Sequence, residues 1–83
     1  MFYIYILYSS NIDKYYIGFT EDLNDRIYKH NNKHRGFTAS ANDWELKYSE
    51  EFNTKQEAIK REKEIKNWKS RVMIEKLINN HKY

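Results

Sequence analysis

Five side chains in this 83-residue chain have types and spacings suited to work on a phosphodiester. Arg26 and His30 stand four positions apart, so a helix through them puts both on one side, one turn apart. A guanidinium binds phosphate oxygens with a planar fork and neutralises charge in a phosphoryl transition state. Tyr5 and Tyr16 lie in two β-prone stretches, and a tyrosine or histidine can position or deprotonate an attacking water. Glu62 falls on the inward side of a late charged segment. A carboxylate there can hold a hard divalent cation that keeps most of its waters, as magnesium prefers. Gly18, one of two glycines, stands where a strand hands over to a helix, a place where a Cβ would obstruct close approach. Taken singly, each residue has a plainer reading. A strand tyrosine is ordinarily core with its hydroxyl at the edge, and His30 a structural histidine. Arg26 could pair with Asp22 or Glu21, and Glu62 with Lys66 or Arg61, at roughly 0–1 kcal/mol for such surface pairs. Only their convergence beside Gly18 makes a phosphodiesterase.

The elements that must position them can be read in order. Phe2 to Tyr8 is continuously apolar or aromatic, a strand covered on both faces. Ser9 to Asp13 supplies turn residues, and Lys14 to Phe19 returns as the second strand of an antiparallel hairpin. With an even-numbered loop, odd positions of the first strand pair with even positions of the second, so Tyr5, Tyr16 and Gly18 share a face. Thr20 is placed to cap a helix, followed by Glu21 and Asp22 where the dipole favours carboxylates. That helix should run to about His34, with Leu23 and Ile27 on its apolar stripe, Arg26 and His30 beside the stripe, and Lys29 and Lys33 pointing away. Lys33 to Asp43 reads as irregular and Trp44 to Phe52 as a strand with one solvated face. Thr54 and Glu57 form a capping box opening a helix to about Trp68, with Ala58 and Ile65 inward and Glu62 between them. Ser70 caps a last helix carrying Ile74, Leu77 and Ile78, which Asn79 and Asn80 end. The order β-β-α-β-α-α predicts an α+β domain spanning residues 1–83, a three-stranded antiparallel sheet flanked by helices.

Composition narrows the classes. With no cysteine, neither a disulfide nor a thiolate metal site can staple the domain. The core must rest on aromatics, 17% of the chain with eight tyrosines. No apolar run reaches membrane-span length and the start lacks a secretory signal pattern, so a cytoplasmic location is expected. The formal charge of +3 is a mild bias, compatible with a polyanionic partner.

Tyr3-Ile4-Tyr5, Tyr16-Ile17-Gly18, Arg26 and His30 on one helix and Glu62 on a later one resemble the GIY-YIG nuclease domain. Glu57-Ala58-Ile59-Lys60-Arg61-Glu62 is similar to the family's Glu-Ala-x-x-x-Glu helix, and Tyr48 to Phe52 to the strand before it. The resemblance covers essentially the whole chain and is nearest to short stand-alone bacterial members. It implies a metal-dependent endonuclease with one Mg²⁺ or Mn²⁺ ion, acting on DNA, with RNA possible, at structured or damaged sites of the repair or recombination type. It implies Tyr5 as general base or water-positioning group, with Tyr16 supporting it or touching the phosphate. It further implies Gly18 as the opening for backbone and substrate, Arg26 as stabiliser of the pentacovalent phosphate, His30 as an assisting group and Glu62 as the metal ligand. Lys29, Lys33 and Arg35 join Gly18 as candidate substrate contacts. The chain departs from the family pattern at Tyr3, where the name-giving glycine would stand, and at Phe19, where the family's bacterial nucleotide-excision-repair nuclease carries a lysine; no asparagine falls at an assignable active-site spacing.

Two other functions fit parts of the same sequence. A catalytically weak or inactive nucleic-acid-binding module would use Lys29, Lys33, Arg35, Lys60, Lys63, Lys66, Lys69 and Arg71, with salt-dependent affinity. A protein-interaction domain would use Trp68 as its anchor, although Trp68 can equally pack against the last helix, and a protein partner could supply specificity to the nuclease.

Overall fold

The computed structural model describes residues 1–32 and 37–80. Three strands, β1 (Phe2–Ser9), β2 (Lys14–Thr20) and β3 (Glu45–Phe52), form an antiparallel sheet in the order β2-β1-β3. Helices α1 (Leu23–Asn31), α2 (Lys55–Asn67) and α3 (Arg71–Asn79) complete the order β-β-α-β-α-α, with a short 3₁₀ turn at Phe37–Ser40. No helix of the described residues is long and apolar enough to cross a membrane.

The central strand β1 is buried on both faces, as its unbroken apolar run requires, while most of β3 stays exposed. Ile4 and Ile6 join Ile17, Tyr48, Ala58 and Ile65 on the face covered by α2 and α3. Tyr5 and Leu7 join Trp44 on the other, packed by Leu23 and Ile27 of α1. Trp68 is partly buried, packed at the border of the first cluster with the Arg61 guanidinium 5.6 Å from its ring centre. The hairpin register pairs Tyr5 with Gly18 and Leu7 with Tyr16, which puts Tyr5, Tyr16 and Gly18 on one face as expected. The turn between β1 and β2 is tied to the start of β3 through Asp43. Its carboxylate accepts Ser9 Oγ at 2.5 Å, Ser10 Oγ at 3.1 Å and the Asn11 N–H at 3.0 Å, and these bonds hold it below the usual carboxylate range.

Three expectations need correction. The cap of α1 is Asp22, whose side chain accepts the Asp25 N–H at 3.1 Å; Thr20 is still in the strand, and its hydroxyl accepts the Asp22 N–H at 3.1 Å to turn the chain into the helix. The helix also ends at Asn31, short of the expected His34, which lies outside the described residues. Asn32 leaves helical geometry at φ −119° and its side-chain amide donates to the Tyr28 carbonyl at 2.7 Å, while the Asn31 amide accepts the Trp44 N–H at 2.7 Å and donates to the Trp44 carbonyl at 3.1 Å. The third concerns β3. Ile6 pairs with Tyr48 but Leu7 pairs with Leu46, so Lys47 is an extra residue in a bulge. One inserted residue reverses side-chain parity. Tyr48 therefore faces the α2 side, while Leu46 and Trp44 turn to the α1 side, and the strand does not carry its alternation on a single face. The other two helices start at their expected caps: Thr54 Oγ1 accepts the Glu57 N–H, and Ser70 Oγ the Met73 N–H.

Candidate active site

A cavity of about 570 Å³ opens at the free edge of β2, between α1 on one face of the sheet and α2 on the other. Tyr5, Tyr16, Arg26 and Glu62 all line it, which brings four of the five candidate residues into one cleft. The fifth, His30, lies directly behind, 2% exposed, with Nε2 2.8 Å from the Tyr5 hydroxyl and its ring 4.8 Å from that of Tyr16. Each side chain arrives by the local logic of its element. Position 5 of the central strand and position 16 of the edge strand share a face, and α1, capped by Asp22, crosses that face with Arg26 and His30 flanking its apolar stripe. Glu62 comes from the opposite side, one turn from buried Ala58 and less than one from buried Ile65, so it stands at the margin of the covered face rather than in solvent.

Gly18 has a sharper role than a general opening. A Cβ built there would lie 2.5 Å from Tyr5 Oη, 2.8 Å from Tyr5 Cζ and 3.2 Å from Tyr16 Cε2. The glycine is thus the floor on which the cross-strand tyrosine lies, an aromatic ring covering a glycine across an antiparallel pair. Any larger residue would push the Tyr5 hydroxyl off His30.

The electrostatics separate the groups. Burial raises the pKa of Tyr5 well above the ordinary 10, with the neighbouring Tyr16 and Glu62 adding to the shift and Arg26 opposing it. At neutral pH Tyr5 is therefore a neutral phenol. Arg26 forms no ion pair among the described residues, and its Nε is buried without a hydrogen-bond partner. The pairing with Asp22 or Glu21 that would have made it ordinary does not occur. Glu62 does carry the plainer pairing, to Lys66 at 3.4 Å, with its own side chain 16% exposed.

Four carboxylates of the lining, Glu21, Asp22, Asp25 and Glu62, face two cations, Arg26 and Lys55, a formal charge of −2. A bare phosphodiester is poorly received there, whereas a divalent cation would balance the lining. No group of three or more histidines and carboxylates among the described residues converges to hold a metal unaided. Glu62 alone suits magnesium, which binds through one or two carboxylates plus substrate phosphate oxygens and keeps its waters. The residue set fits such an ion.

Of the other candidates, Lys29 is exposed, is paired with Asp25 at 3.1 Å and does not reach the cavity. Lys33 and Arg35 lie outside the described residues. Sequence reasoning missed Lys55. It follows the Thr54 cap and reads as an ordinary solvated first-turn lysine, yet its ammonium enters the cavity 6.0 Å from the centre of the Phe19 ring. Position 19 thus holds a ring where a cation was expected, and a cation from α2 sits over that ring.

The family model described as the GIY-YIG catalytic domain matches residues 1–79. Among curated proteins, a UPF0213 protein of Staphylococcus epidermidis is 42% identical over 67 residues, covering 80% of both chains. One of Staphylococcus saprophyticus is 43% identical over 65 residues, 77% of this chain and 78% of the relative, and one of Staphylococcus aureus is 37% identical over 67 residues, 80% of each. No solved structure matches. The model match runs through every strand and helix that frames the cavity, and the chain belongs to the GIY-YIG catalytic domain family, a family of nucleases.

Proposed function

We propose that the protein is a metal-dependent endonuclease that hydrolyses phosphodiester bonds in DNA at structured or damaged sites. The observation that carries this reading is Arg26: a guanidinium with a buried, unpartnered Nε, aimed into a cavity it shares with Glu62 and the Tyr5–His30 pair.

Arg26 grips the non-bridging oxygens and takes up the charge that grows on them as phosphorus becomes five-coordinate. A water oxygen bonds to phosphorus, and its proton goes to Tyr5 Oη. Since Tyr5 begins as a phenol, its own proton must leave at the same time, and His30 Nε2 at 2.8 Å is the acceptor. The bridging P–O bond opposite the attacking water breaks, the departing oxygen takes a proton from solvent, and Lys55, lining the cavity from the α2 side, offsets its charge. A divalent ion on Glu62 would supply further charge neutralisation and acidify the attacking water. Tyr16 braces His30 and Tyr5 through its ring contacts at 4.8 and 6.3 Å.

The test is a cleavage screen with Mg²⁺ or Mn²⁺ on flap, junction, bubble and single-stranded DNAs. Cutting by the wild type that is abolished in Glu62→Ala and reduced about 10²–10³-fold in Arg26→Ala supports the reading. No cutting of any substrate, or a Glu62→Ala variant as active as wild type, ends it.

A further inference from the structure

A second cleft of about 440 Å³ continues from the first along the seam between β2 and α2. The two share Tyr16. Their linings advance together, from Phe19 and Thr20 back along the strand to Lys14 and the turn residue Asp13, and from Lys55 and Glu62 forward along the helix to Lys66 and, past its end, Lys69. Their chemistry is opposite. Four cations, Lys14, Lys66, Lys69 and Arg71, line the second cleft with one carboxylate, Asp13, a formal +3 next to the −2 of the first, although Lys66 pairs with Glu62 and Arg71 with Asp13 and Glu75. Lys14 and Lys69 enter no ion pair among the described residues. Ile17, Ile65 and Ile74 with Tyr15 give it an apolar floor, and the Arg71 guanidinium lies 5.3 Å from the Tyr15 ring centre at one wall.

We infer that this cleft binds an unpaired stretch of the nucleic acid strand beside the bond to be cut. A cationic groove over apolar and aromatic side chains is the arrangement that tracks a single-stranded backbone while accepting any base face. A cleft of about 440 Å³ walled by β2, α2 and the start of α3 has room for a single strand rather than a duplex. From Phe19 to Lys14 the edge strand covers about 16 Å at roughly 3.3 Å per residue. That is on the order of four to five nucleotides of stacked strand at about 3.4 Å each. The inference rests on the phosphodiesterase reading and adds a substrate feature to it: the cut lies a few nucleotides from, or within, a single-stranded segment. The acidic chamber takes the ion and the scissile phosphate, and the basic seam holds the flanking phosphates.

The double variant Lys14→Gln/Lys69→Asn tests it, asparagine being chosen because Lys69 has φ +49°. Anisotropy of a labelled single-stranded oligonucleotide is measured with Ca²⁺ in place of Mg²⁺ across a salt series. Cleavage of a flap by the same proteins is then followed in Mg²⁺. The expected result is at least tenfold weaker binding at about 100 mM salt, a salt slope smaller by about 1.4, and a raised KM with kcat within twofold. Glu62→Ala should lose kcat and keep the wild-type salt slope. Wild-type binding by the double variant while Arg26→Ala fails to cut overturns the seam and leaves the nuclease reading standing. Equal loss of blunt-duplex binding, or a wild-type dimer that the double variant dissociates in size-exclusion chromatography, also overturns it. Lysine-dependent binding of single strands without cutting supports the seam and ends the nuclease reading alone.

Discussion

At the scale of single residues, the proposed relay depends on the 2.8 Å contact between Tyr5 Oη and His30 Nε2. His30→Gln should lower kcat by roughly 10²–10⁴-fold with KM retained, measured by flap cleavage in Mg²⁺. Tyr5 should stay a phenol across the neutral and mildly basic range, since burial pushes its titration upward, so its ionisation puts no limb into a pH–rate profile there. Gly18 governs the same pair sterically. Gly18→Ala places a methyl 2.5 Å from Tyr5 Oη, so it should cost about 1–3 kcal/mol in denaturant unfolding and lower kcat by displacing the phenol from His30. A loss of kcat with unchanged stability would show that Tyr5 moves freely. That Tyr5, Tyr16, Arg26 and Glu62 could meet in one cleft, with His30 beside them, was readable from residue type and spacing; their proposed roles come from the family resemblance. Lys55 was not readable, because nothing local distinguishes a cap-following lysine in solvent from one that a tertiary contact carries into a cleft.

At the scale of elements, caps and apolar stripes were readable because their signals are local. Thr54 and Ser70 cap where their sequence says they should. The α1 start was ambiguous because Thr20 and Asp22 are both competent caps two residues apart, and strand pairing of Thr20 with Tyr3 decided the matter. The β3 bulge was invisible for a related reason: alternation continues through Lys47, and only the register against β1 reveals the extra residue. The joints carry two further predictions. Asp13 is held down to about 2 by Arg71 and the Tyr8 hydroxyl. Its folded value lies below the unfolded 3.8, so its contribution is present above about pH 4 and lost as pH falls towards 2. Asp13→Asn should flatten that part of the acid-unfolding profile. Lys69, at the joint of α2 and α3, adopts φ +49°, and Lys69→Gly should raise stability by about 0.5–1 kcal/mol in thermal or urea unfolding.

At the scale of the molecule, a chain this short builds two cores on one three-stranded sheet, and β1 supplies both. Ile4, Ile6 and Leu7 are wholly inaccessible and Tyr5 is 2% exposed. Total stability for 83 residues is on the order of 4–12 kcal/mol. Ile65→Ala, which opens the α2 core, should remove about 2–5 kcal/mol of it in urea unfolding. A smaller loss would mean that α3 collapses into the gap. The whole-chain charge of +3 gave little indication of its use. The sum hides a −2 chamber beside a +3 seam, and only folding sorts lysines and carboxylates that are interspersed along α2 onto separate clefts.

The contact between Tyr5 and Gly18 also has a historical meaning. Because each residue occupies the space the other would need to grow, neither can drift alone: a side chain at 18 must wait for a smaller residue at 5, and a smaller residue at 5 forfeits the relay to His30. A member that depends on the proposed relay would be confined to this pair, while one that has lost it would be released at both positions. Joint divergence at 5 and 18 would therefore mark, in sequence alone, the members that have stopped cutting.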